Sequence, residues 1–205
     1  MKKVALTFDD GPNPPYTNQI LDILKKENIK ATFFVCGTNI KRHPDVVKKE
    51  AQEGHQIGNH TYNHNYSHYP LTVIGAIYKD TIKTQKMIDE IAPQKEKLFR
   101  SPWFMAPPWL KNRLKREGFQ IFGGIVGYEW DNKTTPQMVA DKILSRVKDD
   151  SIIVLHDGFA STSGTDRSKT VKALPIIISA LTKQGYEFVP LSQIKDHGDK
   201  LLSPH

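Results

Sequence analysis

The sequence contains a single cysteine, Cys36, so no disulfide can form within the chain. Cys36 ends the apolar run from Ala31 and has no histidine placed to activate its thiol, which predicts a buried core residue. No apolar run approaches the roughly 20 residues of a membrane helix, and no signal-like segment precedes the first predicted strand. Taken literally, these absences predict a cytoplasmic chain without a membrane span, unless a leader was removed.

The signatures of several large protein classes are also missing. The sequence has no Gly-x-Ser-x-Gly elbow for serine hydrolysis, no glycine-rich phosphate loop, no repeat and no linker. Of its 205 residues, 38% are hydrophobic and 25% are charged, as in an ordinary globular protein. We therefore predict a single catalytic domain over residues 1–205, with its core at 4–191 and a short C-terminal tail.

Acidic residues are too few to balance the basic ones, and the formal net charge is +7. Such an excess favours contact with polyanions, among them nucleic acid, acidic lipid and an anionic cell wall. The basic residues are scattered, however, with pairs such as Lys25-Lys26 on predicted outer helix faces, and they do not interleave with aromatic residues. We predict a solvated basic surface and no nucleic-acid partner.

About seven apolar, strand-like segments alternate with amphipathic helices. The strands are predicted at 3–6, 30–35, 56–58, 98–103, 119–126, 151–155 and 186–190, with a bend or close backbone approach at Gly123-Gly124. The longest helix is predicted from about 71 to 91, after a loop rich in tyrosine and histidine that ends at Pro70. This alternation predicts an α/β fold on a parallel sheet, either open or closed into a barrel.

Polar residues follow these strands at one rim of the expected sheet, where parallel α/β folds place their active sites. They are Asp9, Asp10, His60, Arg100, Glu129, His156 and Asp157. Two adjacent carboxylates after a buried strand are costly unless something neutralises them. We predict that one of Asp9 and Asp10 binds a cation and the other takes a proton; the alternative is a solvated Asp-Gly turn.

Two histidines, His60 and His64, stand four residues apart, which would place both imidazoles on one face of a helical turn. Two histidines and one carboxylate are a ligand set for catalytic zinc, so Asp9 or Asp10 would complete the site. Because Thr61 stands where zinc proteases carry glutamate, the base must come from elsewhere. The alternative is an exposed loop that binds nothing.

His156 and Arg100 carry the remaining chemistry on this rim. A histidine at position 156 is suited to donate a proton at neutral pH, unless it is a hydrogen-bonded core residue. A buried Arg100 requires an anionic partner, and Asp9 is the candidate.

Four motifs together resemble those of the polysaccharide deacetylases, the NodB-like enzymes of carbohydrate esterase family 4. They are Thr7–Pro12 (TFDDGP), His60–His64 (HTYNH), Arg100–Trp103 (RSPW) and Leu155–Asp157 (LHD). The resemblance runs from Val4 to about Leu191 and implies a distorted (β/α) barrel with seven strands. It also implies metal-dependent removal of acetyl groups from N-acetylglucosamine polymers or acetylated xylan.

The resemblance assigns a role to each matching residue. It implies that Asp10, His60 and His64 bind the metal. Asp9 would be the general base, oriented by Arg100, and His156 the general acid. Further substrate contacts would come from a backbone amide at Trp103, which helps hold the oxyanion, and from Leu155, which lines the pocket for the acetyl methyl group.

The third and fourth motifs depart from the family pattern. The third is usually Arg-Pro-Pro-Tyr, and here Ser101 and Trp103 replace its second and fourth residues, which predicts altered substrate fit with retained chemistry. The fourth, usually Asp-x-x-Asp-Trp, is present only at 126–130. Glu129 would replace the carboxylate that holds His156, and Trp130 the pocket aromatic, although Asp131 is also close by.

These observations predict a monomeric deacetylase that uses a metal-activated water on peptidoglycan or chitin-type substrates. Its single divalent ion is predicted to be zinc, with cobalt, nickel or manganese also compatible with the ligands. The alternatives are an acetylxylan esterase of the same family, a hydrolase of small amides, and a catalytically impaired protein that binds carbohydrate. The family's substrates place it at the cell wall or outside the cell, in contrast with the missing leader.

Overall fold

The computed structural model describes residues 2–64, 75–159 and 165–194, and strands alternate with helices through most of this length. The strands are β1 Lys2–Asp9, β2 Thr32–Val35, β3 Gln56–Asn59, β4 Lys97–Phe99, β5 Phe119–Ile121, β6 Ile125–Val126, β7 Ser151–His156 and β8 Tyr186–Phe188. The helices are α1 Tyr16–Lys26, α2 Gly37–Arg42, α3 Pro44–Gln52, α4 Ala76–Ile91, α5 Pro108–Arg116, α6 Pro136–Leu144 and α7 Ser168–Lys183.

All of the strand pairs are parallel, and β1 lies in the middle of the sheet. The order is β5-β4-β3-β2-β1-β7-β6, and β8 pairs with the first residues of β1, from Lys2 to Val4. The sheet curls into a half-barrel with helices on its outside, which confirms the predicted distorted (β/α) barrel. The carboxyl ends of β1, β3, β4 and β7 therefore meet at one rim.

Both faces of β1 are buried, each in a different apolar cluster. Val4 and Phe8 belong to the large core that the sheet shares with its helices, whereas Ala5 belongs to a separate apolar cluster. Because side chains of a strand alternate between faces, Thr7 and Asp9 point to the same side as Ala5. The first helix, α1, presents an apolar stripe to the large core through the buried residues Ile20, Leu21 and Leu24.

The segment 119–126 forms two strands, not the one that was predicted. The chain bends at Phe122-Gly123-Gly124, and β5 and β6 pair at opposite ends of the sheet. A Cβ atom on Gly124 would lie 2.6 Å from Cγ2 of Val154 and 2.7 Å from the carbonyl oxygen of Ile152. The close backbone approach predicted here is therefore confirmed. Among the described residues, the main path of the sheet contains seven strands, as predicted, and β8 pairs beside it with β1.

Three further predictions concern Cys36, the long helix and membrane spans. Cys36 is fully buried as expected, and burial raises the pKa of its thiol. The long helix predicted from 71 is described only from Ala76, and the preceding loop at 65–70 lies outside the described residues. Within the described chain, no helix is long and apolar enough to cross a bilayer.

Glu50, on α3, is a fully buried carboxyl group whose two oxygens have no hydrogen-bond partner among the described residues. Burial, followed by the charge of Asp157, raises the pKa of Glu50 well above its usual value. The folded protein therefore holds a proton on Glu50 at pH values where the unfolded chain has lost it.

We predict that Glu50→Gln stabilises the protein increasingly as the pH rises. Because the folded pKa is raised, wild-type stability is lost above the unfolded pKa, by up to about 1.4 kcal/mol per pH unit. Urea unfolding at pH 5 and pH 8 should show little difference between the two proteins at the lower pH and a clear gain for the variant at the higher pH. Glu53→Gln is the control, and a gain independent of pH would contradict the assignment.

Candidate active site

Five of the seven polar residues predicted at one rim line a cavity of ≈ 590 Å³ at the carboxyl ends of the strands. The other two, Arg100 and Asp157, are buried and are not among its described lining residues. The cavity is lined by Asp9, Asp10, His60, His64, Ser101, Trp103, Phe104, Val126, Glu129, Trp130, Asn132, His156, Phe159, Thr165, Asp166, Arg167 and Lys169. A cavity of this size is typical of small-ligand sites, which range over about 300–1,000 Å³.

A sharp turn after β1 brings two successive carboxylates into this cavity. In a regular strand Asp9 and Asp10 would point to opposite faces, but Asp10 has φ 73° and turns the chain. A Cβ atom on the next residue, Gly11, would lie 2.1 Å from Oδ2 of Asp157, so only glycine fits there. The predicted convergence of the two carboxylates is therefore present in the structure.

His60 and His64 converge on one oxygen of Asp10. Their Nε2 atoms each lie 3.4 Å from Oδ1 of Asp10, and their ring centroids are 5.0 Å apart. The predicted helical turn is wrong, because the chain forms an irregular loop after β3 in which Thr61 has φ 66° and His64 has φ 49°. Positive φ angles redirect the loop so that both rings still face the carboxylate.

The donor atoms of Asp10, His60 and His64 fit a divalent metal ion. Oδ1 of Asp10 is buried without a hydrogen-bond partner among the described residues, and the three donor atoms lie within 4.8 Å of one another. Ligand atoms of a tetrahedral zinc ion are about 3.4 Å apart, which matches both oxygen–nitrogen distances. Nδ1 of His60 lies 2.7 Å from the carbonyl oxygen of Arg100, so Nε2 is oriented toward the site.

The protonation states also suit metal binding. Burial lowers the pKa of His64 to about 4, against the opposing effect of Asp10, so its imidazole is neutral at neutral pH. Burial would raise the pKa of Asp10, but His64 and His60 hold it well below its usual range. A neutral imidazole and an ionised carboxylate are the forms that bind a metal.

Arg100 fixes the second carboxylate, Asp9, from beneath the cavity. Its Nη1 atom donates to Oδ1 of Asp9 and to Oγ1 of Thr7, each at 2.7 Å. Its remaining donors bond the carbonyl oxygens of Phe122 and Gly123, at the bend between β5 and β6. Burial lowers the pKa of Arg100, and the adjacent Asp9 counteracts that effect. Oδ2 of Asp9 remains on the metal side, 4.0 Å from Nε2 of His60.

Glu129 and His156 form a close pair that also lines the cavity. Oε1 of Glu129 lies 2.6 Å from Nδ1 of His156, and only 3% of Glu129 is exposed. Burial alone would lower the pKa of His156, but the Glu129 carboxylate raises it to about 9. The alternative residue, Asp131, instead accepts a hydrogen bond from the backbone nitrogen of Lys133 at 2.9 Å.

We predict that Glu129→Gln lowers the pKa of His156 from about 9 toward its ordinary value, because the neutral amide removes the main charge that favours imidazolium. The shift would be measured by NMR titration of the chelated, metal-free protein. Asp131→Asn is the matched control and should leave this pKa unchanged. An unchanged pKa in Glu129→Gln, or an equal shift in both variants, would rule out the pair as its cause.

The predicted substrate-binding residues occupy different places. Trp103 is 38% exposed and lies edge-on to His64, with ring centroids 4.3 Å apart. Trp130 is 45% exposed and lies edge-on to His156, at 4.7 Å. Leu155 is fully buried in the large core and is not among the described residues that line the cavity.

Strained backbone is concentrated at the site. Eight non-glycine residues of the described chain have positive φ, and six of them lie at or beside the cavity: Asp10, Thr61, His64, Trp103, Phe104 and Tyr128. Such conformations persist where surrounding contacts hold them, as is common at functional sites.

One wall of the cavity consists of residues that the sequence did not predict. Phe159, 40% exposed, follows the Leu155–Asp157 motif by two residues, and this proximity was the available signal. Arg167 and Lys169 come from a segment without any recognisable motif. The buried Arg167 guanidinium donates twice to the carbonyl oxygen of Gly158, at 2.8 and 2.6 Å, and so supports the turn after β7.

Comparisons with known proteins agree with this geometry. The family profile described as polysaccharide deacetylase matches residues 1–121. The chain is 34% identical to a peptidoglycan-N-acetylglucosamine deacetylase of Bacillus cereus, over 94% of this chain and 88% of that protein. It is 33% identical to peptidoglycan-N-acetylglucosamine deacetylase PgdA of Listeria monocytogenes, over 98% of this chain but only 40% of that longer protein.

A solved structure shows the same fold. It is a family 4 acetyl xylan esterase from Clostridium thermocellum in complex with a cobalt ion, and it superposes with a TM-score of 0.82 at 35% identity. The alignment covers 94% of this chain and 90% of that chain. The profile match, the identity along nearly the whole chain and the shared fold show that this chain is a hydrolase of the polysaccharide deacetylase family, the NodB-like enzymes of carbohydrate esterase family 4.

Proposed function

We propose that this chain removes acetyl groups from N-acetylglucosamine residues of a peptidoglycan-type or chitin-type glycan, with a bound divalent metal. The observation that carries the proposal is the convergence of three metal donors with two proton-transfer groups on one cavity. Asp9 and His156 are register partners at the ends of the neighbouring strands β1 and β7, and both line the cavity that the metal donors line. The curated relatives reported above act on peptidoglycan, and they favour that glycan as the substrate.

Asp10, His60 and His64 would hold the metal. Two imidazoles and a carboxylate suit zinc, and the same donors accept cobalt, nickel or manganese. When bound, the ion supplies a Lewis acid that polarises the acetyl carbonyl and lowers the pKa of water. All three donors, and all of the proton-transfer groups, come from one chain, so a monomer contains the complete site.

Asp9 acts as the general base in this proposal. Arg100 binds its Oδ1, which leaves Oδ2 on the metal side of the carboxylate. This oxygen accepts a proton from the attacking water as the water adds to the acetyl carbon. The negative charge that develops on the carbonyl oxygen is stabilised at the turn that begins at Ser101, where a backbone amide at Trp103 would face the cavity.

His156 acts as the general acid. Its Nδ1 is bonded to Glu129, so Nε2 carries the proton that is transferred to the sugar nitrogen as the carbon–nitrogen bond breaks. The raised pKa of about 9 keeps His156 protonated at neutral pH, which is the form that an acid requires. Glu129 holds the ring in position and stabilises its charge.

Three exposed aromatic residues line the cavity: Trp103, Trp130 and Phe159. Flat aromatic faces at a site mouth bind the apolar C–H faces of sugars, because both surfaces lose water on contact. This arrangement favours an oligosaccharide over a small amide. With peptidoglycan as substrate, the reaction would take place at the cell wall.

The test is acetate release from N-acetylglucosamine oligomers, peptidoglycan and acetylxylan, with zinc or cobalt supplied to chelator-stripped protein. We expect metal-dependent release of acetate from the first two substrates. Asp10→Ala protein, stripped and supplied with metal in the same way, should release none. Release from acetylxylan alone would identify an esterase. No release from any substrate, with tight metal and oligomer binding, would instead identify a carbohydrate-binding protein.

A further inference from the structure

Lys169 provides a positive charge in the wall of the cavity. It lies in the first turn of α7, and its side chain lines the cavity together with Trp130 and Asn132. Its Nζ atom donates to the carbonyl oxygen of Asp131, at 2.7 Å, and Asp131 is the residue between those two lining residues. An ammonium group has three donors, so this bond leaves capacity for a ligand.

Nothing on the described chain neutralises this charge. No carboxylate of residues 2–64, 75–159 or 165–194 forms an ion pair with Lys169. Asp166 also lines the cavity, but its carboxylate accepts hydrogen bonds from the backbone nitrogen of Ser168 and from the Tyr16 hydroxyl. Glu129 is paired with His156. A lysine in the first turn of a helix also opposes the helix dipole, so its position does not serve helix stability.

Building on the proposed function, we propose that Lys169 binds a carboxylate carried by the sugar next to the acetylated one, and thereby selects peptidoglycan over chitin. In peptidoglycan, every second sugar bears a lactyl ether, which ends in a carboxylate or continues into a peptide with carboxylates of its own. Chitin oligomers carry no such group. Lys169 and the metal donors line the same cavity, so one disaccharide unit can contact both.

The test compares three sets of oligomers of equal length. The first contains only N-acetylglucosamine and is neutral. In the second, N-acetylglucosamine alternates with N-acetylmuramic acid without peptide, and the third is the second with peptide attached. For Lys169→Met, we expect KM on the carboxylate-bearing oligomers to rise about tenfold with kcat nearly unchanged, since a charge-assisted hydrogen bond is lost. Kinetics on the neutral oligomers should not change. A rise only on the peptide-free carboxylated set identifies the lactyl carboxylate, because that group becomes an amide once the peptide is attached. A rise only on the set with peptide attached identifies the peptide carboxylates, and a rise on both sets shows that Lys169 binds either one.

Two variants control for other effects. Lys169→Arg keeps the charge and should preserve most of the preference. Lys172→Met removes a charge from the next turn of α7, and Lys172 is not among the described residues that line the cavity. Its kinetics on all three sets should match the wild type. An equal loss on neutral and carboxylated oligomers in Lys169→Met, or no loss on either, would overturn the proposal.

Binding keeps this test separate from the proposed activity. Calorimetry in an Asp9→Asn background, with metal bound, compares the affinity of the same oligomers with and without Lys169→Met. A preference for carboxylated oligomers that Lys169→Met removes supports the role of Lys169 even if the chain releases no acetate. Equal affinities for neutral and carboxylated oligomers would overturn it, whatever the result of the activity assay.

Discussion

Asp9→Asn is expected to lower turnover by about 10²- to 10⁴-fold while the protein still binds one metal ion per chain. The amide is nearly isosteric with the carboxylate and can still accept the hydrogen bond from Arg100, but it cannot take a proton. The three metal donors are unchanged. Metal content measured on the purified variant, together with acetate release at saturating substrate, separates a lost base from a lost metal.

The same substitution leaves the buried Arg100 without its anionic partner, so a loss of stability must be distinguished from a loss of chemistry. Breaking a buried ion pair costs about 3–5 kcal/mol, and the variant should therefore unfold at a lower urea concentration. Thr7→Val is the matched control, because it removes a second hydrogen bond of Arg100 without touching the base. It should lose stability and keep most of its turnover. Near-wild-type turnover in Asp9→Asn would exclude Asp9 as the base.

Asp10→Ala is expected to abolish stoichiometric metal binding and to lower turnover by at least about 10²- to 10³-fold, since a bound ion contributes several kcal/mol of transition-state stabilisation. It removes Oδ1 of Asp10, which lies 3.4 Å from the Nε2 atoms of both His60 and His64. Chelation of the wild-type protein should cause the same loss, reversed by added zinc or cobalt. Metal content would be measured directly, beside acetate release.

His55→Gln is the control for this loss. His55 is also a buried histidine, and its Nδ1 accepts a hydrogen bond from the backbone nitrogen of Ala31, away from the cavity. The variant should be less stable but should still bind one metal ion per chain and regain activity when metal is added. If Asp10→Ala retained both its metal and its turnover, another ligand set would have to be sought.

Much of the site could be predicted because the chemistry follows the ends of strands. The apolar pattern located β1, β3, β4 and β7, and the polar residues directly after them meet at one rim in any parallel α/β sheet. The Asp9–Arg100 contact followed from the same rule, since each residue ends or follows such a strand and a buried guanidinium needs a carboxylate. These inferences required only the alternation of strands and helices.

What could not be predicted depends on local backbone geometry. The spacing of His60 and His64 indicated a helical turn, because spacing alone cannot reveal positive φ angles at Thr61 and His64. Likewise, the choice between Glu129 and Asp131 rested on a turn whose direction the sequence did not determine. Lys169 was missed because α7 is reached only after a long connection, and no motif marks it.

The position of Arg100 has a consequence for how such a sequence can change over time. Its guanidinium joins Asp9 at the end of β1 to the bend between β5 and β6, so the proposed catalytic base also helps to support the sheet. Replacing either Asp9 or Arg100 alone leaves the other as an unpaired buried charge. Descendants that abandon hydrolysis and keep only carbohydrate binding should therefore replace both residues together, with neutral side chains, while their metal donors vary independently.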